Sequence, residues 1–261
     1  MQKASKELSK LMNPSHSAEA PDVREKGAPG KDGTPQTSDK RLYFQLSVFT
    51  GCLDLDAVEK AVKASGFEAV LYEDFHDARG FALLLMHENP DFFVREARAF
   101  LQKQPFASLT YLRDMTMAGR SYSLGRELDL EDWLLQKPRR TALNPAWPWA
   151  IWYPLRRKPE FELLSKEEQG KILYEHAKIG MSYGRADLAH DIRLACYGID
   201  RDDNEFLIGL IGRELFPLSH VVEEMRKTQQ TARYIESLGP FFTGRVRWQS
   251  PAPLSPKPSS Y

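Results

Sequence analysis

Apolar and polar residues alternate from Leu42 to Phe49 with the two-residue period of a strand. From Leu55 to Ser65 the apolar positions return at helical spacing, and Gly66 stops the helix. Strands follow at Phe67–Tyr72 and Gly80–Met86, then a helix at Asp91–Gln102 and a strand at Ser108–Met115. The same order then recurs. A strand spans Trp149–Tyr153 and a helix Lys166–Lys178, with strands at Asp191–Tyr197 and Glu205–Ile211. A long helix covers Leu218–Ser237 and a last strand Phe241–Arg247. Two successive β-α-β-β-α-β units predict an α+β chain of tandem ferredoxin-like (βαββαβ) halves, each an antiparallel sheet with helices on one face. The uncovered faces need a partner, so the halves are expected to pack into an α+β barrel.

This pattern divides the chain into residues 41–120 and 149–249, joined by a connecting segment over 121–148. The connector holds a short helix near Leu130–Leu135, then Pro138, Pro145 and Pro148 with Arg139 and Arg140. Long ordered connections are often functional, although a linker pinned by prolines is an equal reading. Residues 1–40 are rich in Lys, Ser, Pro, Gly and Ala, as in Gly27-Ala28-Pro29-Gly30-Lys31-Asp32-Gly33. Such a stretch has little apolar surface to offset its ordering entropy, so it is expected to be a disordered tail, as are residues 250–261.

Composition narrows the function classes. The 261 residues carry 36 Lys plus Arg against 36 Asp plus Glu. A neutral chain argues against nucleic-acid binding, which needs a basic surface to displace counterions. No apolar run reaches membrane-spanning length, since Arg79, His87 and Glu88 bracket the most apolar stretch. Two cysteines, Cys52 and Cys196, are too few for a disulfide framework. The N-terminus lacks the apolar core of a signal peptide, and a cytoplasmic location is expected.

One helix carries candidate chemistry. Ser165 and Glu168 form a capping-box pattern, and Ile172, Leu173, His176 and Ile179 then share one face until Gly180, where the helix is expected to end. His176 stands where most helices would place leucine. A buried imidazole needs a partner on each nitrogen or a metal on one. No second His or Cys lies at zinc-ligand spacing. A core histidine satisfied by hydrogen bonds and a single axial ligand to porphyrin iron both remain open.

The segments Trp152-Tyr153-Pro154-Leu155-Arg156-Arg157-Lys158 and Tyr174-Glu175-His176-Ala177-Lys178-Ile179-Gly180 resemble the chlorite dismutase-like superfamily. Its coproheme decarboxylase (HemQ-type) branch is the nearest in pattern. Glu224-Met225-Arg226, Thr231-Ala232-Arg233 and Gly239-Pro240-Phe241-Phe242-Thr243-Gly244 extend the resemblance through most of the second half. It implies that His176 is the proximal iron ligand and Tyr153 a radical relay to a propionate of the porphyrin. It further implies that Arg226 and Thr231 hold propionates, that Arg139 or Arg140 reaches another, and that Arg193 is the distal residue, with His190 as a rival in the same stretch. The stretch between His176 and Arg193 is longer than the family pattern, through Tyr183-Gly184-Arg185-Ala186.

The implied activity is peroxide-dependent oxidative decarboxylation of iron coproporphyrin to haem b, with the porphyrin and hydrogen peroxide as partners. Arginine is a cation suited to bidentate binding of the four propionates. An arginine at the distal position is the chlorite dismutase pattern, whereas Tyr153, Arg226 and Thr231 follow the decarboxylases. Chlorite-splitting or haem peroxidase activity is therefore the alternative, and a non-catalytic haem-binding or delivery protein is a third reading. Each residue also has an ordinary role to weigh: Tyr153 in a strand, Arg226 on a solvated helix, Arg193 paired with Asp191 or Asp200. The family further implies a homo-oligomer, often a ring of five subunits.

Overall fold

In the computed structural model, which describes residues 20–252, the chain starts with two short strands, β1 (Glu25–Lys26) and β2 (Thr37–Ser38), paired antiparallel. The first half follows as β3 (Tyr43–Thr50), α1 (Leu55–Ser65), β4 (Ala69–Asp74), β5 (Phe81–His87), α2 (Asp91–Val94), α3 (Glu96–Leu101), β6 (Thr110–Tyr111) and β7 (Met117–Arg120). The connector forms a π-helical turn at Asp132–Gln136 that runs into α4 (Lys137–Ala142). The second half comprises β8 (Trp149–Arg157), α5 (Lys166–Arg185), β9 (His190–Ala195), β10 (Phe206–Gly212), α6 (Leu215–Arg226), β11 (Ile235–Leu238) and β12 (Phe242–Gln249).

The two halves are ferredoxin-like, and their strands close into one barrel. Strand order runs β10-β9-β7-β3-β5-β4-β12-β8, and β8 pairs back onto β10. The seams between halves are β4 with β12 and β7 with β9. One face of every long strand fills the interior with Phe44, Leu46, Tyr72, Leu84, Trp152, Leu194, Leu207 and Phe242. Gly209 lets the Trp152 ring lie flat across β10, because a Cβ there would sit 2.6 Å from the indole. The other sheet faces are covered by helices, with Val58 and Val62 of α1 buried over the first half. Among the described residues no helix is long and apolar enough to cross a membrane.

Several local expectations are corrected. The expected disordered tail is structured from Glu25 onward: the Glu25 carboxylate accepts from Arg41 Nε at 2.9 Å, Arg120 Nη1 at 3.2 Å, and Ser123 N and Oγ at 2.9 and 3.0 Å. Gln36 donates to the carbonyls of Ala28, Glu127 and Leu128. Polar bonds to a distant segment, rather than apolar burial, offset the ordering entropy there. At the other end Ser250 is buried and bonded to Ala69 N and Phe67 O. Residues 1–19 and 253–261 lie outside the described residues.

The expected strand Ser108–Met115 is a two-residue bridge with both side chains exposed, followed by a turn, and β7 is the true fourth strand. Gly180 does not end α5, which runs on to Arg185. A helix-interior glycine costs about 1 kcal/mol, and packing of Ile179 and Tyr183 against the second-half cluster outweighs it. The expected helix to Ser237 stops at Arg226, where Thr228 Oγ1 bonds the carbonyl of Met225 at 2.7 Å, a side-chain competitor for the helical backbone.

Candidate functional site

The site lies between the helix-covered face of the second-half sheet and α5. Strand alternation sets that face: Ile192 and Leu194 of β9 enter the barrel, so Asp191 and Arg193 project the other way. Register does the rest. Ile208 of β10 pairs with Arg193 on one side and with Tyr153 of β8 on the other. Arg193, Ile208 and Tyr153 thus form one row, and Asp191, Leu210 and Ile151 form the next.

Tyr153 is buried, and its ring stacks on Phe241 at 4.6 Å and 26°. Burial pushes its phenol well above the usual tyrosine range; the Asp191 carboxylate adds to this and Arg226 opposes it. Arg193 Nε donates to Asp191 Oδ2 at 2.8 Å, with both side chains half exposed. The ordinary reading of Arg193 as an Asp191 partner is thus present in the geometry.

The capping box at Ser165 and Glu168 starts α5 as expected. Gln169, Ile172, His176, Ile179 and Tyr183 then turn inward, while Leu173 stays partly exposed. His176 Nδ1 is 3.4 Å from Thr228 Oγ1, which in turn lies 3.4 Å from Thr231 Oγ1. The hydroxyl hydrogen of Thr228 goes to Met225 O, so Oγ1 faces the imidazole as an acceptor. Nε2 of His176 has no hydrogen-bond partner among the described residues. Burial lowers the imidazole pKa to about 4, helped by Arg193 and opposed by Asp191 and Glu175. The ring is therefore neutral at neutral pH, the form that binds metals.

Arg226 sits at the C-terminal end of α6, exposed and without an ion pair among the described residues. His190 is turned away from this group. It lies on the opposite face of β9 from Arg193, stacked on Trp147 at 3.6 Å and bonded through Nε2 to Asp187 at 2.9 Å. Arg140 is held bidentately by Asp132 at 2.6 and 2.9 Å, and Arg139 by Glu68 and Glu88 at 2.9 and 3.1 Å.

The connector instead delivers Lys137 and Tyr122. Both line a small cavity with Thr141, Asp191 and Arg193. Lys137 Nζ rests 3.9 Å from the Trp133 ring centre, and burial lowers its pKa while it raises that of Tyr122. The Trp133–Lys137 spacing of one helical turn is a visible signal in the sequence, whereas nothing local marks Tyr122. The arrangement offers one imidazole nitrogen on α5 that is unpartnered among the described residues, with the Arg193 and Lys137 cations beside Asp191 on the connector side.

Comparison with known proteins bears on this geometry. Residues 110–247 match the family model described as Chlorite dismutase. The chain belongs to the chlorite dismutase family. A coproheme decarboxylase from Oceanobacillus iheyensis is 28% identical over 170 residues, 58% of this chain and 65% of that protein. One from Staphylococcus carnosus is 32% identical over 99 residues, 36% of this chain and 37% of that protein. The chain thus spans less than two thirds of the length of these curated relatives. A solved heme-binding protein from Thermus thermophilus superposes with a TM-score of 0.62 at 21% identity, covering 79% of this chain and 91% of that one. That likeness carries the fold, including the paired ferredoxin-like halves.

Proposed function

We propose that this chlorite dismutase family member binds an iron porphyrin through His176 and, with hydrogen peroxide, decarboxylates iron coproporphyrin to haem b. The observation that carries the reading is the row Arg193–Ile208–Tyr153 on the face beside a neutral His176 with a free Nε2. The relatives named as coproheme decarboxylases support it. The residues fit the group: His176 presents an Nε2 unpartnered among the described residues, and Arg193, Lys137 and Arg226 offer cations for anionic edges. His176 would hold the iron of such a group through Nε2, with the porphyrin itself supplying further ligands.

When bound, the iron porphyrin supplies redox chemistry with peroxide. The protein supplies orientation and charge. Thr228 Oγ1 accepts from Nδ1–H and so fixes the tautomer that leaves Nε2 as ligand. Arg226 and the Thr231 hydroxyl offer donors to a propionate, and Lys137 with Tyr122 takes the place at the rim that the resemblance implies for Arg140. Tyr153 keeps its Oη proton through neutral pH, so it would serve as a neutral phenol that gives up both a proton and an electron when oxidised. Arg193 stands across Ile208 as the cation on the sheet side.

A second reading rests on that same residue, because arginine opposite the histidine is the chlorite dismutase pattern. Mass spectrometry of the porphyrin before and after stoichiometric peroxide separates the two. Loss of two carboxyl groups as carbon dioxide supports the decarboxylase. An unchanged porphyrin with oxygen release from chlorite replaces it with the second reading. The cytoplasm and a homo-oligomer, with a five-membered ring as the form to test, belong to the proposed reading.

A further inference from the structure

Two turns beyond His176 on α5, Tyr183 packs by its ring against the buried cluster that contains Tyr153, Ile151, Leu210 and Leu218. Its hydroxyl leaves that cluster and hydrogen-bonds His220 Nδ1 on the neighbouring helix α6. The two rings lie 6.0 Å apart. His220 itself reaches the surface: its side chain is 41% exposed, Phe216 lies at 5.6 Å, and Nε2 stands 4.0 Å from Glu224 Oε1. Glu224 is in turn paired with Lys227. No step proposed above uses this pair. Burial, with Glu224 and Glu223 adding, holds the Tyr183 phenol above the usual tyrosine range, so its proton is present at neutral pH.

We propose that Tyr183 and His220 form a proton-coupled electron port between the interior cluster and the protein surface. In the forward step an oxidising equivalent takes one electron from the Tyr183 phenol, and the Oη proton moves to His220 Nδ1. The products are a neutral tyrosyl radical and an imidazolium. A one-electron donor of the ascorbate or phenol class then returns the electron at the surface, and His220 returns the proton to Oη. Charge and atoms balance in both directions. A phenol without an acceptor must lose its electron first and form a high-energy cation; a hydrogen-bonded imidazole removes that requirement. Two features of the fold suit this role, since the ring contacts the interior cluster and the proton acceptor faces water. The peroxide reaction proposed above would supply the oxidant, so the biological use of the port rests on that reading. The redox property of the pair does not.

The test uses the full chain without porphyrin, oxidised by flash-generated tris(bipyridine)ruthenium(III) and followed by absorbance and electron paramagnetic resonance. The expected result is a fast-forming fraction of tyrosyl radical that is lost in Tyr183→Phe, forms at least about tenfold more slowly in His220→Leu, and slows in deuterium oxide. Circular dichroism and thermal melting confirm that each variant is folded, and His220→Gln, which keeps a hydrogen-bond acceptor but cannot take up the proton, stays slow. A fast fraction unchanged in Tyr183→Phe, or an equal rate in folded His220→Leu, overturns the port. In a separate arm the wild-type chain is loaded with iron coproporphyrin and given peroxide. Product formation alongside a failed flash experiment refutes the port alone. A surviving Tyr183 radical in a chain that binds no porphyrin supports the pair as a port and refutes the proposed reaction as its oxidant source.

Discussion

Arg193 and Tyr153 stand in register across a single intervening strand, each paired to Ile208, on the same face of the sheet. Two strand spacings separate their backbones, about 10 Å. That span lets one group bound on the face meet both side chains, the guanidinium at one side and the phenol at the other. Under the proposed function, Tyr153→Phe keeps porphyrin binding and loses conversion by about a hundredfold or more. Mass spectrometry of the porphyrin product measures this, and conversion at the wild-type rate would end the relay role. Arg193→Ala is expected to spare binding and to abolish any oxygen release from chlorite.

Thr228 matters through His176 rather than by touching a ligand. Its Oγ1 is the acceptor nearest Nδ1 and links onward to Thr231. Thr228→Val removes that acceptor at almost constant volume. Iron-porphyrin affinity is expected to fall by about 10–100-fold, read by titration of the absorption spectrum. Thr228→Ser should recover most of it.

The half-buried imidazole also shapes acid stability. The pKa of His176 is lowered from 6.5 to about 4. Between those values the unfolded chain holds a proton on this ring that the folded chain does not. Stability is therefore full above the unfolded value and declines as the pH falls from about 6.5 towards about 4, by on the order of 3 kcal/mol. Urea unfolding of wild type and His176→Leu at neutral pH and near pH 4.5 checks the sign. The wild type should lose more stability on acidification than the variant.

Glu25 joins the N-terminal hairpin to Arg41, Arg120 and Ser123 with only 12% of its side chain exposed. Glu25→Ala leaves two guanidinium groups short of their carboxylate. The expected cost is about 2 kcal/mol, below the range for a fully buried pair, with faster proteolysis between Gly27 and Gln36. A melting temperature equal to wild type would show that the remaining bonds of Gln36, Lys26 and Ala28 to the connector suffice to hold the hairpin.

Gly209 offers a packing test away from all these polar groups. A methyl group there would collide with Trp152 at 2.6 Å. Gly209→Ala is expected to destabilise by about 1–3 kcal/mol, measured by thermal melting, and Trp152→Leu in the same chain should recover part of that loss.

Much of this protein is legible from local periodicity. The doubled β-α-β-β-α-β order, the Ser165–Glu168 cap and the inward stripe through Ile172, His176 and Ile179 depend on neighbours a few residues apart, and such patterns survive into the fold. The resemblance, too, is carried by short segments. Element ends are less legible, because the cost of Gly180 is small beside the packing of Tyr183, which no local pattern displays. Side-chain partners are the least legible. Arg140 is a rim candidate by sequence, yet Asp132 holds it, and Lys137 and Tyr122 reach the cavity through a connector whose path depends on contacts with Glu25 and Gln36. His190 and Arg193 are close in sequence, yet strand alternation sends them to opposite faces. Register across β8, β9 and β10 then makes a row of Arg193, Ile208 and Tyr153. Hydrogen bonding among these three strands of the second half sets that register, and only the assembled sheet brings them side by side.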